Sequence, residues 1–382
     1  MKINFKNTIF KYDWFLLALV LAICAISILM VATATSGTTG TSIVTKYSML
    51  QLLWVGVGLV AMTFVSIIDY RFYAEKYKWF YWGNIAVLFL LLVLGTATRG
   101  TVGWIKVIGE RTIQPSELAK ITIIIALSKV VSDKMRGNGE ITRFTDLFSI
   151  FGYFGIPFVL IMLQPDWGTA FVYVCILAGI LFIAKTSWKI ILSIAGVGIA
   201  SLPIAWLFMA TWQKNRILNF FNPLADVNGT GLQVANAKLV IGSGQLTGKG
   251  LFAEGTLSKL GFLPDSHTDF IFSVTAETIG FVGGTILVVL YAALIFRMMY
   301  LAMKAPDTLG CLMIVGVASM FLFHIFENIG MNIGMMPVTG IPLPFMSYGG
   351  SSMLANFIAI GLVQNIALRR GTNKPFNEFS IK

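Results

Sequence analysis

Charge is scarce in this sequence. Only 12% of its 382 residues are Asp, Glu, Lys or Arg, where a soluble domain carries about 25%. With 57% of residues hydrophobic, that shortage excludes an ordinary water-soluble fold. Cysteine is scarce too. Cys24, Cys175 and Cys311 are the three, and each lies in an apolar run, so neither a disulfide framework nor a zinc site is indicated. Acids number 17 against 28 lysines and arginines, a net charge of +11. In a soluble protein such a balance would suggest nucleic acid. Here the better reading is basic cytoplasmic loops facing anionic lipid, with no nucleic acid partner.

Long apolar runs are abundant. Trp14 to Ala34 reads "WFLLALVLAICAISILMVATA", near the roughly 20 residues needed to cross a bilayer. It is longer than a signal peptide's apolar region and is read as an uncleaved first span. Ten spans are expected, at about 14–34, 48–68, 78–96, 117–132, 148–164, 167–184, 187–209, 275–301, 308–327 and 351–368. In lipid every peptide group must be satisfied internally, so the fold class is an all-α polytopic membrane protein with ten transmembrane helices. An even number of spans puts both termini on one side, and the distribution of Lys and Arg makes that side cytoplasmic. The layout is a short cytoplasmic N-terminus (1–13), one membrane domain (14–368) and a cytoplasmic tail (369–382).

Two outer loops stand out. One, about 210–274, is large and glycine-rich, and lies between spans 7 and 8. The other, about 328–350, reads "NIGMNIGMMPVTGIPLPFMSYGG"; after Glu327 no charge occurs until Arg369. Solvated loops are rarely so uncharged. This segment between spans 9 and 10 is expected to be re-entrant-like, dipping into the membrane or packing within protein.

The candidate motifs each have a plain structural reading beside a functional one. "GSGQLTGKG" (Gly242 to Gly250) fails the phosphate-loop spacing and is better read as a loop packed over helix ends. In "IQPSELAK" (Ile113 to Lys120), Ser116 is suited to cap span 4 and Glu117 to its first turn. Lys120 either snorkels, pairs with Glu117, or joins the helix N-terminus in an anion site. Lys214 and Arg216, in "QKNRILNFFNP", lie outside, where a basic pair suits a ligand or lipid headgroups. Asp166 in "QPDWGTA" sits between spans 5 and 6, where capping is the simpler reading. In "FLPDSHTDFIFSVTAETIGF", Ser266 with Asp269 resembles a capping box. Shielding of Asp269 by Phe270, Ile271 and Phe272 would instead raise its pKa towards that of a general base. Glu277, two turns on, is a membrane-embedded acid and so a functional candidate.

Taken as a set, "IQPSELAK", "QPDWGTA", "IGSGQLTGKGL", "FLPDSHTDFIFSVTAETIGFVGG" and "MMPVTGIPLPFMSYGGSSMLANFIAIGL" resemble the SEDS family, the RodA/FtsW proteins, with RodA the nearer. The resemblance runs in matching order from about Arg99 to Ile366. It implies a peptidoglycan glycosyltransferase that polymerises lipid II, an undecaprenyl-diphosphate disaccharide-pentapeptide, on the outer membrane face. It also implies a class B penicillin-binding protein as partner, among other elongation or division membrane proteins.

On that resemblance Asp269 is the catalytic residue and general base. Lys120, Arg216, Glu117, Ser116, Trp104 and His267 serve the substrate and its diphosphate, and Glu277, Asp166, Ser347 and Ser351 support them. Positive charge on the leaving diphosphate comes from these groups unless a divalent metal, Mg or Mn, supplies it. One departure is plain: Gly103 precedes Trp104 where the family usually has Arg, a role that falls to Arg99 or Lys106 if it is kept. Two rival readings stay open, a lipid II flippase and a non-catalytic scaffold for the penicillin-binding protein.

Overall fold

The computed structural model describes residues 11–37, 44–98, 101–108, 111–138, 140–222 and 230–370. The first ten residues and the tail beyond 370, both expected to be cytoplasmic, lie outside them. In chain order the elements are α1 (Trp14–Thr35), α2 (Lys46–Ile67), α3 (Tyr70–Glu75), α4 (Tyr77–Leu94), β1 (Thr96–Thr98), β2 (Thr101–Ile108) and β3 (Arg111–Ile113). There follow α5 (Pro115–Asn138), α6 (Phe144–Leu163), α7 (Trp167–Ile183), α8 (Trp188–Phe208), α9 (Thr211–Phe221), α10 (Thr230–Ser243), α11 (Ile271–Met303), α12 (Thr308–Ile333) and α13 (Gly350–Leu368). Seven of these helices (α1, α2, α6, α8, α11, α12 and α13) are long and apolar enough to cross a membrane. The chain is a multi-pass, essentially all-helical membrane protein.

The connections expected to lie outside differ from simple loops. The segment after α4 forms a small antiparallel sheet in the order β1-β2-β3. Its Thr, Val, Ile and Trp content favours a pleated surface, a signal outweighed in the sequence by neighbouring glycines. The large loop after α8 contains α9 and α10. Helix α12 runs six residues past its expected end, to Gly334, whose left-handed backbone (φ 74°) closes it with an N–H bond to Gly330 O. What remains of the uncharged segment packs inside protein: Ile341, Leu343, Phe345 and Met346 are all buried.

Helix α11 is interrupted at Gly280, whose backbone (φ 70°, ψ −172°) is not helical and is reached at little cost only by glycine. The glycine-rich segment 245–250 fills the interruption. Phe281 N donates to Gln245 O (2.8 Å) and Val282 N to Leu246 O (3.1 Å), while Lys249 N and Gly250 N donate to Glu277 O (2.9 Å) and Thr278 O (3.0 Å). Backbone groups freed by the break are thereby satisfied, as the low-dielectric setting demands.

Helices α12 and α13 are the most buried of the seven. α13 packs along α2 through small residues, with Gly58 against the Phe357 ring and Gly361 against the Met62 backbone. At the end of the bundle where α1 begins, Asp13 caps α1 by accepting from Leu16 N (2.9 Å). Its carboxylate also receives Arg297 Nε (3.0 Å) and an Arg297 terminal nitrogen (2.7 Å). Gln364 exchanges two bonds with the Asp13 backbone. The arginine that interrupts the apolar run of α11 is therefore half of a buried pair.

Candidate active site

Asp269 sits two residues before α11, half-buried. The capping box expected from Ser266 and Asp269 does not form, because the helix begins later, at Ile271. The cap comes from another helix. Asn332 on α12 accepts from Ser273 N (3.2 Å) and Ser273 Oγ (2.6 Å) through its Oδ1. Its Nδ2 donates to Asp269 O (3.1 Å), as does Asn328 Nδ2 (2.9 Å). Asn328 also donates to Ile341 O (2.8 Å). Two buried amides one helical turn apart thus fix the Asp269 backbone, the first turn of α11 and the uncharged segment against one another. Gly340 lies alongside, where an added Cβ would stand 3.7 Å from Asp269 Oδ2.

Ser347 joins the same suture. Its Oγ accepts from Leu343 N (2.8 Å) and donates to Thr268 O (2.7 Å). Tyr348 N donates to His267 O (3.0 Å). The backbone on both sides of Asp269 is therefore pinned.

Arg216 projects from α9, its guanidinium 4.9 Å from the Trp212 ring centroid. Burial pushes it below its ordinary value, while the Asp269 and Asp166 carboxylates act the other way. An arginine stays charged regardless, so a desolvated cation stands within electrostatic reach of both acids. Asp166 does cap α7, accepting from Thr169 N (3.0 Å) and Thr169 Oγ1 (2.8 Å). It also receives Gln114 Nε2 (3.2 Å). Gln114 N in turn donates to Ser351 Oγ (3.1 Å), which ties the start of α5 to α13.

Ser116 is not the cap of α5. The helix opens one residue earlier, at Pro115, a favourable first position, and Ser116 Oγ is buried without a hydrogen-bond partner among the described residues. Lys120 is 2% exposed rather than lining an open mouth. Its Nζ donates to Glu117 Oε1 (2.7 Å) and to His324 Nε2 (3.0 Å). His324 Nδ1 lies 2.7 Å from Met320 O, which places the ring proton on Nδ1 and leaves Nε2 to accept. Trp104 stands on β2 opposite Thr96. Gly103 is buried beside Gln164, whose Oε1 would lie 3.7 Å from an added Cβ. Arg99 lies outside the described residues.

Glu277 belongs to a different structure. Fully buried, it accepts from Ser243 Oγ (3.0 Å), Lys249 Nζ (2.8 Å), Leu257 N (2.8 Å) and Ser258 N (3.1 Å). It clamps the glycine-rich loop onto the first half of α11. Among the described residues no three His, Cys, Asp or Glu side chains converge to hold a metal ion.

Sequence reasoning missed His324, Asn328 and Asn332. Their signal was there: three polar side chains at positions four apart in an otherwise apolar helix, a pattern that points inwards in a membrane bundle.

A suture of buried amides around a half-buried aspartate, with a largely desolvated arginine in electrostatic reach of it, within a multi-pass helical bundle, defines a polar site of a membrane protein. Residues 11–371 match the FtsW/RodA/SpoVE family, described as cell cycle protein, and the chain belongs to that family. It is 35% identical over 326 residues to stage V sporulation protein E of Bacillus subtilis, covering 83% of this chain and 86% of that one. It is 35% identical over 318 residues to the peptidoglycan glycosyltransferase MrdB of Escherichia coli, covering 83% and 84%. A chain from a solved peptidoglycan synthase complex superposes with a TM-score of 0.78 at 28% identity, over 95% of this chain and 99% of that one. The rod shape determining protein RodA of Thermus thermophilus superposes at 0.70 and 29%, over 94% and 98%.

Proposed function

We propose that this protein is a peptidoglycan glycosyltransferase that polymerises lipid II at the outer face of the bacterial plasma membrane. In this reading ten helices span the bilayer, both termini are cytoplasmic, and residues 14–368 form one membrane domain. Residues 210–274 are its large extracytoplasmic piece. The relative named peptidoglycan glycosyltransferase MrdB supports the activity. The observation that carries the site is the Asp269 suture: Asn328 and Asn332 hold its backbone while Arg216 supplies a desolvated positive charge nearby.

The reaction joins the acceptor's sugar 4-hydroxyl to the donor's anomeric carbon. The hydroxyl oxygen attacks that carbon, the bond from it to the diphosphate oxygen breaks, and the configuration inverts. Asp269 takes the hydroxyl proton. Arg216 faces the departing diphosphate and the N-terminus of α5 adds positive potential, while Lys120, ion-paired with buried Glu117, holds that helix end in place. His267, Trp104, Ser116 and Glu117 shape the substrate side. Asp166, Ser347 and Ser351 hold the segments in register. The class B penicillin-binding partner crosslinks the strands.

The test is polymerisation of lipid II by the purified protein with its penicillin-binding partner, for wild type and Asp269→Asn. Glycan polymer is expected from the wild type alone. Polymer from a folded Asp269→Asn variant would remove Asp269 from the chemistry. Lipid II crossing a vesicle bilayer without polymerising would favour the flippase reading.

A further inference from the structure

Three aromatic rings meet on the outer side of the Asp269 suture, and the reaction as described uses two of them for nothing. Tyr47 stands in the first turn of α2, 38% exposed. Its ring centroid is 4.8 Å from that of His267 and 5.1 Å from that of Tyr348. His267 and Tyr348 are 5.7 Å apart. Both are half-buried, and their backbones are bonded to each other, Tyr348 N to His267 O at 3.0 Å. Only Thr268 separates His267 from Asp269, which limits the backbone distance between them to about 7 Å.

We propose that Tyr47, His267 and Tyr348 form a stacking platform that seats a sugar ring of the substrate beside Asp269, with Tyr47 its exposed contact. This rests on the glycosyltransferase reading and adds to it a sugar subsite. A pyranose has a C–H face that packs on an aromatic ring and hydroxyls at its rim that need polar partners. An amphipathic cluster of tyrosine and histidine next to a carboxylate meets both needs. The backbone bound of about 7 Å between His267 and Asp269 is on the scale of one sugar ring, so a sugar seated on the platform would have its neighbour within reach of Asp269. The platform is also pre-formed. His267 and Tyr348 belong to the segments that Ser347 and the asparagines pin, and tyrosine offers a large contact area at low entropic cost.

A tyrosine at a helix end near the membrane surface has a plainer use, as an interfacial anchor. The two uses differ in what they recognise. An anchor is indifferent to whether the ligand carries sugars; a platform is not.

The experiment uses the full protein with its penicillin-binding partner in detergent or nanodiscs. Binding of lipid II, with and without its pentapeptide, and of undecaprenyl diphosphate, which lacks both sugars and peptide, is measured for wild type, Tyr47→Ala and Tyr47→Phe. Polymerisation is followed against lipid II concentration. Tyr47→Ala is expected to weaken lipid II binding and raise KM by about tenfold, the scale of one lost aromatic stack, with kcat held within about twofold. Its undecaprenyl diphosphate binding should match the wild type. Tyr47→Phe keeps the ring and should restore lipid II affinity.

Equal weakening for lipid II and undecaprenyl diphosphate in Tyr47→Ala would overturn the platform, as would unchanged binding of both or a loss seen only with the pentapeptide present. Loss of the partner from Tyr47→Ala with lipid II affinity intact would make this surface a protein contact and overturn it too. Should the wild type bind lipid II yet make no polymer, the glycosyltransferase reading falls, while the ligand comparison still decides whether Tyr47 reads the sugar.

Discussion

Replacing Glu277 should loosen the glycine-rich loop from α11 and destabilise the fold, and the size of the effect follows from its partners. Its carboxylate accepts four hydrogen bonds, three on Oε1 and one on Oε2. Removing one member of a buried pair costs about 3–5 kcal/mol, and each buried donor left unsatisfied about 1–3 kcal/mol. These do not simply add. Lys249 is 32% exposed and recovers water, and Ser243 Oγ keeps Val240 O at 2.8 Å. The donors stranded without recourse are Leu257 N and Ser258 N, so Glu277→Ala is expected to lose about 3–5 kcal/mol. Glu277→Gln can keep Oε1 on its three donors but turns an amide towards Ser258 N, for a loss of about 1–3 kcal/mol. Lys249→Met leaves a fully buried carboxylate without its cation and should also cost about 3–5 kcal/mol. The assay is denaturant unfolding in detergent micelles. A Glu277→Ala protein within about 1 kcal/mol of wild type would refute the clamp, and so would equal losses for Ala and Gln.

Further outcomes follow from the same contacts. Gly280→Ala should be destabilised by more than about 2 kcal/mol, because its φ of 70° disfavours any side chain and its Cβ would overlap the Leu246 and Gly248 backbone; thermal unfolding reads this. Glu117→Gln leaves the buried Lys120 ammonium without its counter-charge and should cost about 3–5 kcal/mol; a wild-type melting curve would show that the buried ammonium finds another counter-charge. Burial alone would raise the Asp13 carboxyl, but the Arg297 hydrogen bond, the Leu16 N–H and the charges of Arg297 and Arg370 bring it below the ordinary carboxylate value. Its contribution to stability is therefore present above the unfolded value of about 3.9 and lost as pH falls through the folded one. Unfolding titrated from pH 6 to pH 2 should show an acid loss that Asp13→Asn lacks.

Helix positions were legible because each span has to be apolar over a bilayer's thickness, a constraint that a single sequence displays. Their ends were less so. Ser266 and Asp269 carry the local pattern of a capping box, yet α11 takes its cap from Asn332, 59 residues away. No local signal could choose between them, since the winner is set by how α12 packs. The same holds for Lys120. Three residues after Glu117 it reads equally as a snorkelling, pairing or anion-binding lysine, and only the arrival of His324 from α12 decides that it is buried. The small sheet was hidden for a different reason: β1 and β3 have only three residues each, and the glycines between the strands read as loop. Asp166 fell to its simplest reading, a cap, while its reach to Arg216 depends on where α9 lies.

The bond between Asp13 and Gln364 joins residues 351 positions apart, and the close seam of α2 with α13 spans nearly as much chain. A ribosome delivers α1 and α2 to the bilayer long before α13 exists. Until then Asp13 lacks one of its partners, and Gly58 faces lipid where Phe357 will sit. The native bundle therefore closes only when the last helix arrives, and a product truncated before α13 carries an open seam and an unfilled polar latch. Completion of synthesis is in this way written into the fold, as a condition that quality-control proteases can read.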